Sequence, residues 1–396
     1  MSAEKIKKLA AEYFNEIQNI RQHIHAHPEL SFQEIETSKF VQQKLSEWKI
    51  PFTPNIAKTG IVAILKSNKN ADKKVIALRS ELDALPIHEK NNCSYASQNA
   101  GVMHACGHDV HTACMLGAAK ILNELNAEWE GTIKLIFQPS EEKEPGGASV
   151  MIKEGVLENP KPEMILALHV HPSMTVGKTG FRSGLYMASA DEIYITVKGK
   201  GGHGALPQNC VDTVLLASHI VVALQQIVSR NAYPIIPTVL SFGKMIANGA
   251  TNVIPDEVRI EGTLRTMDEP WRKVVHQKIK QIAQGVAQSM GGDAVVEISN
   301  GYPCLKNDFT VTEKSRANAK KYLGDENVEE LDLRMTAEDF SFFAEKIPAC
   351  FFRLGTASAD GSNSSAVHTA TFNIDEQALE IGAGLMAYQA MQHLAV

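Results

Sequence analysis

Long apolar runs, clustered cysteines and a basic stripe are all missing from this sequence. No apolar stretch approaches the roughly 20 residues a helix needs to cross a bilayer, so neither a membrane span nor a membrane partner is expected. The opening stretch, MSAEKIKKLAAEYFNEIQNI, is charged and helix-periodic and lacks the apolar centre of a secretory signal. The six cysteines, at 93, 106, 114, 210, 304 and 350, lie far apart except for Cys106 and Cys114. That is not the spacing of a disulfide framework, and it reads as a reducing, cytoplasmic compartment. The 39 Lys and Arg residues are interspersed among 45 Asp and Glu, for a net charge of −6. With no basic face, nucleic acid is not an expected partner. Internal repeats and low-complexity tracts are missing as well.

What is present suffices for two cores. At 396 residues the chain exceeds one small core, so two domains, or one with a large insertion, are expected. An apolar fraction of 44% beside a charged fraction of 21% fits an ordinary globular protein. Ile6, Leu9, Ala10, Tyr13, Ile17 and Ile20 recur at helical spacing, and Pro28 breaks the pattern. A second amphipathic helix runs through Phe40, Val41, Leu45 and Trp48. The runs IVAIL (61–65), KVIALR (74–79), IKLIF (133–137) and MILALHV (164–170) are short, apolar and bounded by polar or turn residues, as strands are. TACMLGAAKILNEL (112–125) reads as a buried helix. Strands apolar on both faces, alternating with helices, predict an α/β fold with a mostly parallel sheet flanked by helices.

The rhythm changes in the middle of the chain. EIYITVKG (192–199) alternates like a strand, 211–230 is helical, 238–246 and 256–266 read as strands, 269–288 as a helix and 294–299 as a strand. The order β-α-β-β-α-β is that of a ferredoxin-like unit, which folds independently. Residues 187–301 are therefore expected to form an inserted domain, with 1–186 and 302–396 as the two parts of the larger one.

Candidate metal ligands gather where the expected strands end. MHACGHDVHTA (103–113) precedes a helix, and QPSEEKEPGG (138–147) follows the strand at 133–137. LHVHP (168–172) ends the strand at 164–170, and VHTATF (367–372) lies in the returning part of the larger domain. Open α/β sheets bind ligands outside the carboxyl ends of their strands, so these four segments can converge on one crevice. Taken singly each has a bland reading: a satisfied structural His, a solvated Glu pair, a Cys serving as a small hydrophobe.

Their joint occurrence favours chemistry. Cys106 and His108 are one residue apart, which in an extended or turn segment lets both face one side. His104 shares that alternation, His111 falls inside the helix, and Asp109 is a candidate N-cap. Adjacent Glu141 and Glu142 leave a turn in different directions, so one can bind a metal while the other reaches a water. A thiolate, imidazoles and a carboxylate suit borderline ions such as Zn²⁺, Mn²⁺ or Co²⁺. A water on such an ion has its pKa lowered from about 15.7 toward about 7. A free carboxylate beside it is a general base. A metal-free Cys106/His nucleophile stays open on these residues alone.

The segments RQHIHAHPELSFQE, RSELDALPI, MHACGHDVHTACMLGAA, FQPSEE, GGASVMI, GKGGHGALP, TNVIPDEVRIEGTLRT, TAEDFSFF and VHTATF together resemble the M20 metallopeptidase-like amidohydrolases. The likeness is to the branch of N-acyl-amino-acid amidohydrolases, hippurate hydrolases and auxin-conjugate hydrolases. It implies two divalent ions per subunit (zinc, manganese, cobalt or nickel) at Cys106, His108, Glu142, His169 and His368, with Glu141 as general base. His169 is chosen over His171 because it stands nine residues before Lys178, the family spacing. Asp83 matches a position that orients a ligand. The inserted domain would act as lid and dimerisation module, making a homodimer or higher oligomer. Its His203 would donate to the carbonyl oxyanion, a role typically worth about 2.7–4 kcal/mol. Asn252 and Arg265 would meet the substrate carboxylate, for which the Arg fork is suited.

The implied reaction is hydrolysis of the amide bond of a small N-acyl-L-amino acid (N-acetyl, N-benzoyl or similar). A dipeptidase or carboxypeptidase of the same family is the alternative. Three departures from the family pattern, Ser80-Glu81-Leu82, Gly204 and Gln208, spare the metal ligands and are expected to bear on the substrate side.

Overall fold

The structure, a computed structural model, describes residues 3–395. The chain divides into two compact units. The larger takes residues up to Gly184, Lys306–Asp332 and those from Asp339 on, and the smaller takes Leu185–Leu305 and Leu333–Glu338.

The larger unit is the expected α/β structure. Its sheet runs Phe52–Ile56, Gly60–Lys66, Thr132–Gln138, Val75–Glu81, Ile165–Thr175, Ala349–Ala357, Thr179–Phe181, Val328–Glu330. The four strands from Thr132–Gln138 to Ala349–Ala357 are mutually parallel. Antiparallel pairing begins on either side of them. Every residue of Thr132–Gln138 and of Ala349–Ala357 is buried. A strand covered on both faces has no polar face to alternate with, which is why these runs are mostly apolar. Lys134 is among the exceptions, and its buried ammonium donates to the carbonyls of Val156 (2.8 Å) and Glu158 (2.6 Å), so the charge is solvated by backbone.

The helices Ala3–Ala26, His108–Glu124 and Gln377–Leu394 pack on one another against the central strands. Gly117 is a point where all three meet closely. A Cβ there would lie 2.6 Å from Ile17 Cδ1 and 2.8 Å from Ala383 Cβ.

The smaller unit has the element order β-α-β-β-α-β. Its antiparallel sheet runs Thr238–Ile246, Glu257–Thr266, Ser189–Lys198, Asp293–Ile298, with helices Thr213–Leu224 and Glu269–Ser289. Both helices start on an aspartate. Asp212 accepts from the Val214 and Leu215 N–H groups at 3.0 Å, and Asp268 from that of Trp271 at 2.7 Å. The helical stretch Thr213–Asn231, 19 residues, is long and apolar enough to cross a membrane by length and composition, contrary to the expectation that no run approaches this. Its Leu216, Ala217, Ile220, Leu224 and Ile227 are nevertheless fully buried in the core of this unit.

The segment Leu333–Glu338 carries no periodicity that would assign it. It joins the smaller unit through backbone: Arg334 N–H donates to Tyr186 O and Ala188 N–H to Arg334 O, both at 3.0 Å.

The helix packing yields one expectation. Gly117→Ala should lower the unfolding free energy by about 1–3 kcal/mol, the usual cost of overpacking, seen as a lower urea midpoint. An unchanged midpoint would mean that the helices part freely there.

Candidate metal centre

Five potential donors converge in the larger unit because turns and strand ends aim them there. Gly107 has φ +80°, and a Cβ on it would lie 2.6 Å from Val170 Cγ2, so only glycine makes this turn against the strand Ile165–Thr175. Cys106 precedes the turn, and His108 opens the helix that follows. Glu141 and Glu142 lie in the turn after Thr132–Gln138, and His169 on Ile165–Thr175. His368 comes from the far end of the sequence. Its N–H donates to Ala105 O at 2.7 Å, clipping that loop beside Cys106.

Donor atoms of Cys106, His108 and His169 lie within 4.8 Å of one another, and so do those of Cys106, Glu142 and His368. Cys106 belongs to both groups. Its Sγ is 3.5 Å from His169 Nε2, and His368 Nε2 is 3.2 Å from Glu142 Oε1. Glu141 stands beside them, with Oε2 at 3.9 Å from His108 Nε2. Its Oε1 takes the Asp339 N–H at 3.4 Å.

The imidazoles are oriented through their far nitrogens. His108 Nδ1 donates to Asp83 O at 2.8 Å, and His169 Nδ1 to Val170 O at 2.9 Å, so both Nε2 lone pairs face the cluster. Among the described residues buried His108 Nε2 has no hydrogen-bond partner, and Glu142 Oε1 faces the imidazole nitrogens of His368 at 3.2 Å and His108 at 3.9 Å. An unpartnered acceptor such as His108 Nε2 is costly unless something positive meets it. The electrostatics agree. Burial works against a charged His108, but the Asp83 hydrogen bond and the Glu81, Asp83 and Glu142 charges outweigh it and raise His108 to about 10. A field that draws a proton this strongly also draws a cation. Burial, then Arg353, keeps His169 neutral, well below its ordinary value, as a ligand must be. The donor set therefore fits divalent ions.

A third grouping, Glu81, His108 and His111, does not fit. His111 Nε2 accepts the Val170 N–H at 2.9 Å, so its proton is on Nδ1 and is donated to Glu81 Oε2 at 2.8 Å. Neither nitrogen is left for an ion. Instead this ring ties the helix His108–Glu124 to the strand carrying His169.

Asp83 lies against both carboxylate-bearing residues of the turn. Its Oδ1 accepts the Glu141 N–H and its Oδ2 the Glu142 N–H, each at 3.0 Å, and Oδ2 also accepts the Ser31 hydroxyl at 2.6 Å. Behind it lies a buried network that sequence reasoning did not find. Arg79 donates to Glu81, to Gln138 Oε1 (2.8 Å) and to Asp339 Oδ1 (2.7 Å). Burial opposes the Glu81 charge, but Arg79 and His111 hold its carboxyl well below the usual range. The motifs RSELDALPI and TAEDFSFF carried this network in plain view, but residue type alone could not reveal the pairing across the sheet.

Two expectations need correction. Ser80, Glu81 and Leu82 are buried behind the site, so that departure acts on the support of the ligands and not on the substrate. Gly204 is exposed in a turn, and Gln208 is exposed in the short 3-10 helix Pro207–Asn209. Asp109 is not an N-cap: Gly107 occupies that position, and Asp109 instead pairs with Arg21 (2.7 Å) and His25 (2.8 Å).

His104 is buried, with both ring nitrogens unpartnered, and burial lowers it to about 3. His171 is half-buried on the same strand as His169. His203, Asn252 and Arg265 belong to the smaller unit. His203 sits on the two-residue strand Gly202–His203, paired with Val253–Ile254, and Gly204 N–H donates to Asn252 O at 2.8 Å. Arg265 lies on Glu257–Thr266, opposite Val239 and Ala190.

Known proteins resemble this chain over most of its length. The chain is 40% identical over 302 residues to an N-acyl-L-amino acid amidohydrolase of Geobacillus stearothermophilus, spanning 76% of this chain and 80% of that protein. It is 38% identical over 375 residues to an N-acetylcysteine deacetylase of Bacillus subtilis, spanning 94% and 95%. A solved Bacillus subtilis structure, a dinuclear metal binding peptidase from the M20 family, superposes with a TM-score of 0.82 at 33% identity, over 97% of this chain and 99% of that one. Residues 77–392 match the model of peptidase family M20/M25/M40, and the chain belongs to that family.

Proposed function

We propose that this protein is a metal-dependent amidohydrolase that cleaves N-acyl-L-amino acids to a carboxylate and a free amino acid. The observation that carries this reading is the pair of donor groups sharing Cys106, with the Glu141 carboxylate beside them. The named activities of the amidohydrolase and deacetylase relatives support the substrate class. Cys106, His108, Glu142, His169 and His368 would hold two divalent ions, and the Cys106 thiolate is common to both groups of donors. The mixed sulfur, nitrogen and oxygen donors suit zinc, manganese, cobalt or nickel.

Such ions, once bound, polarise the scissile carbonyl and make water nucleophilic at neutral pH. The chain supplies the rest. Glu141 Oε2, the oxygen turned toward His108, takes the proton of the attacking water. The Asp339 N–H steadies the other oxygen of that carboxylate. Glu141 then hands the proton to the leaving amine as the C–N bond breaks, so water ends as the acid hydroxyl and the amine hydrogen. His203 donates to the oxyanion. Its Nδ1 accepts the Ala205 N–H at 3.1 Å, which leaves the proton of the exposed ring on Nε2. Asn252 and Arg265 bind the substrate carboxylate.

The smaller unit is the lid and the dimer interface in this reading. Its exposed Val222, Tyr233 and Ile235, and the edge strand Thr238–Ile246, support a homodimer. All six cysteines are free thiols, which supports a cytoplasmic location.

Glu141→Gln should keep its ion content by elemental analysis while kcat falls about 100- to 10,000-fold, the range of a general base. Retention of the full rate would remove the base assignment. Asp83→Asn should weaken divalent-ion affinity about 10- to 100-fold, the typical effect of losing a ligand's support, measured by chelator competition. A panel of N-acetyl, N-benzoyl and aminoacyl substrates, run after chelation and again after ions are restored, tests the reaction class. Preference for aminoacyl substrates would make the enzyme a dipeptidase, and turnover surviving chelation would remove the metal.

A further inference from the structure

The stretch HPELSFQE (27–34) has no part in the mechanism above, yet it reaches the centre of the site. Its backbone is fixed against the continuation of the strand Val75–Glu81: Ala84 N–H donates to Glu29 O at 2.8 Å, and Leu30 pairs with Ala84. Glu29 then accepts from the N–H groups of Glu36 (3.1 Å) and Thr37 (2.8 Å), fixing the start of the helix Ile35–Glu47. Between these anchors, the side chain of Glu34 turns inward and is fully buried.

Glu34 is hydrogen-bonded at both oxygens. Oε1 accepts the N–H groups of Phe32 and Ser140, each at 2.8 Å, and Oε2 accepts the Thr59 hydroxyl at 2.6 Å. Ser140 is the residue before Glu141, and it holds φ +49°. The next two N–H groups, of Glu141 and Glu142, go to Asp83. Three successive backbone N–H groups are thus received by two buried carboxylates. A left-handed residue in such a run bends the N–H groups into a concave anion site. Here the anions are the protein's own acids, and the turn they hold carries Glu141 and Glu142. Ser31, from the same N-terminal stretch, braces the second acid.

We propose that Glu34 is a positioning residue for this turn: its carboxylate, together with that of Asp83, fixes the backbone of residues 140–142 and so aims Glu141 and Glu142. The inference rests on the assignment of Glu141 as base and Glu142 as ion ligand. Keeping an acid here is unfavourable in itself, since burial and the nearby Asp83 charge push Glu34 up to about 7. What it holds in place accounts for its presence. A misplacement of about 1 Å at a reacting group can cost on the order of 100-fold in rate.

The test compares wild type with Glu34→Ala, Glu34→Asp and Glu34→Gln, each checked for folding by circular dichroism. Zn²⁺ affinity is read by chelator competition, and kcat and KM on an N-acetyl amino acid. Glu34→Ala should bind Zn²⁺ about 10- to 100-fold more weakly and lose kcat by a similar factor, with KM little changed. Glu34→Asp keeps the charge but is one methylene too short to reach Ser140, and it should fall with Ala. Glu34→Gln keeps an oxygen for the two N–H groups and should stay within about threefold of wild type in both readings, the tolerance of a kept hydrogen bond. Wild-type affinity and kcat in folded Ala, or in Asp should Ala not fold, would overturn the proposal, and so would a Gln variant that falls as far as Ala. If the wild type hydrolyses no N-acyl amino acid, the functional reading fails, while the Zn²⁺ affinities still decide the role of Glu34.

Discussion

One carboxylate, that of Asp83, is the constraint on which the site depends. It is fully buried, yet every lone pair that faces the protein is used. It takes the N–H groups of Glu141 and Glu142 and the Ser31 hydroxyl, and its Oδ1 lies 3.2 Å from His108 Nδ1. Three elements distant in sequence thereby share one acceptor: the N-terminal stretch, the helix from His108 and the turn after Thr132–Gln138. Burial opposes the charge, but His108 and Ser31 hold the carboxyl below its ordinary range. A buried charge so fully hydrogen-bonded is tolerable, whereas removing the carboxylate would orphan all of its donors at once.

The same economy runs through the imidazoles. His108, His111 and His169 sit within one cluster of rings, and their chemistry differs only by what holds the far nitrogen. Backbone carbonyls take the Nδ1 protons of His108 and His169 and leave an inward lone pair. His111 has a donor at one nitrogen and an acceptor at the other, so it acts as a strut. Residue identity does not distinguish a ligand from a strut, but hydrogen-bond partners do.

That difference explains what could be read in advance. The sheet was legible because strands covered on both faces, such as Thr132–Gln138, are mostly apolar, with no alternating polar face. The order of elements in the smaller unit was legible because caps and period changes mark each end, as at Asp212 and Asp268. The donors were legible because sulfur, imidazole and carboxylate at strand ends are chemically conspicuous. Short edge strands such as Thr179–Phe181 and Val328–Glu330 were not, because three residues set no period. Segment 333–338 was missed because its assignment rests on backbone pairing, which leaves no trace in side-chain pattern. Nothing in the sequence singles out Glu34 or Asp339, Glu81 was expected to bear on the substrate side, and only partners from remote segments make these acids structural. Asp109 was misread because aspartate beside a helix start suggests a cap, while its actual partners, Arg21 and His25, come from another helix.

The place of Ala349–Ala357 in the sheet has a consequence for synthesis. This strand lies between Ile165–Thr175 and Thr179–Phe181, near the middle of the order, although it is made long after both. A nascent chain emerging from the ribosome therefore waits with a gap in its principal sheet and two unpaired backbone ladders facing it. The smaller unit is nearly contiguous and can fold during that interval. His368 follows the missing strand, so a chain released early lacks both the strand that closes the sheet and the last donor. Aggregation during slow translation is thus the hazard this topology carries.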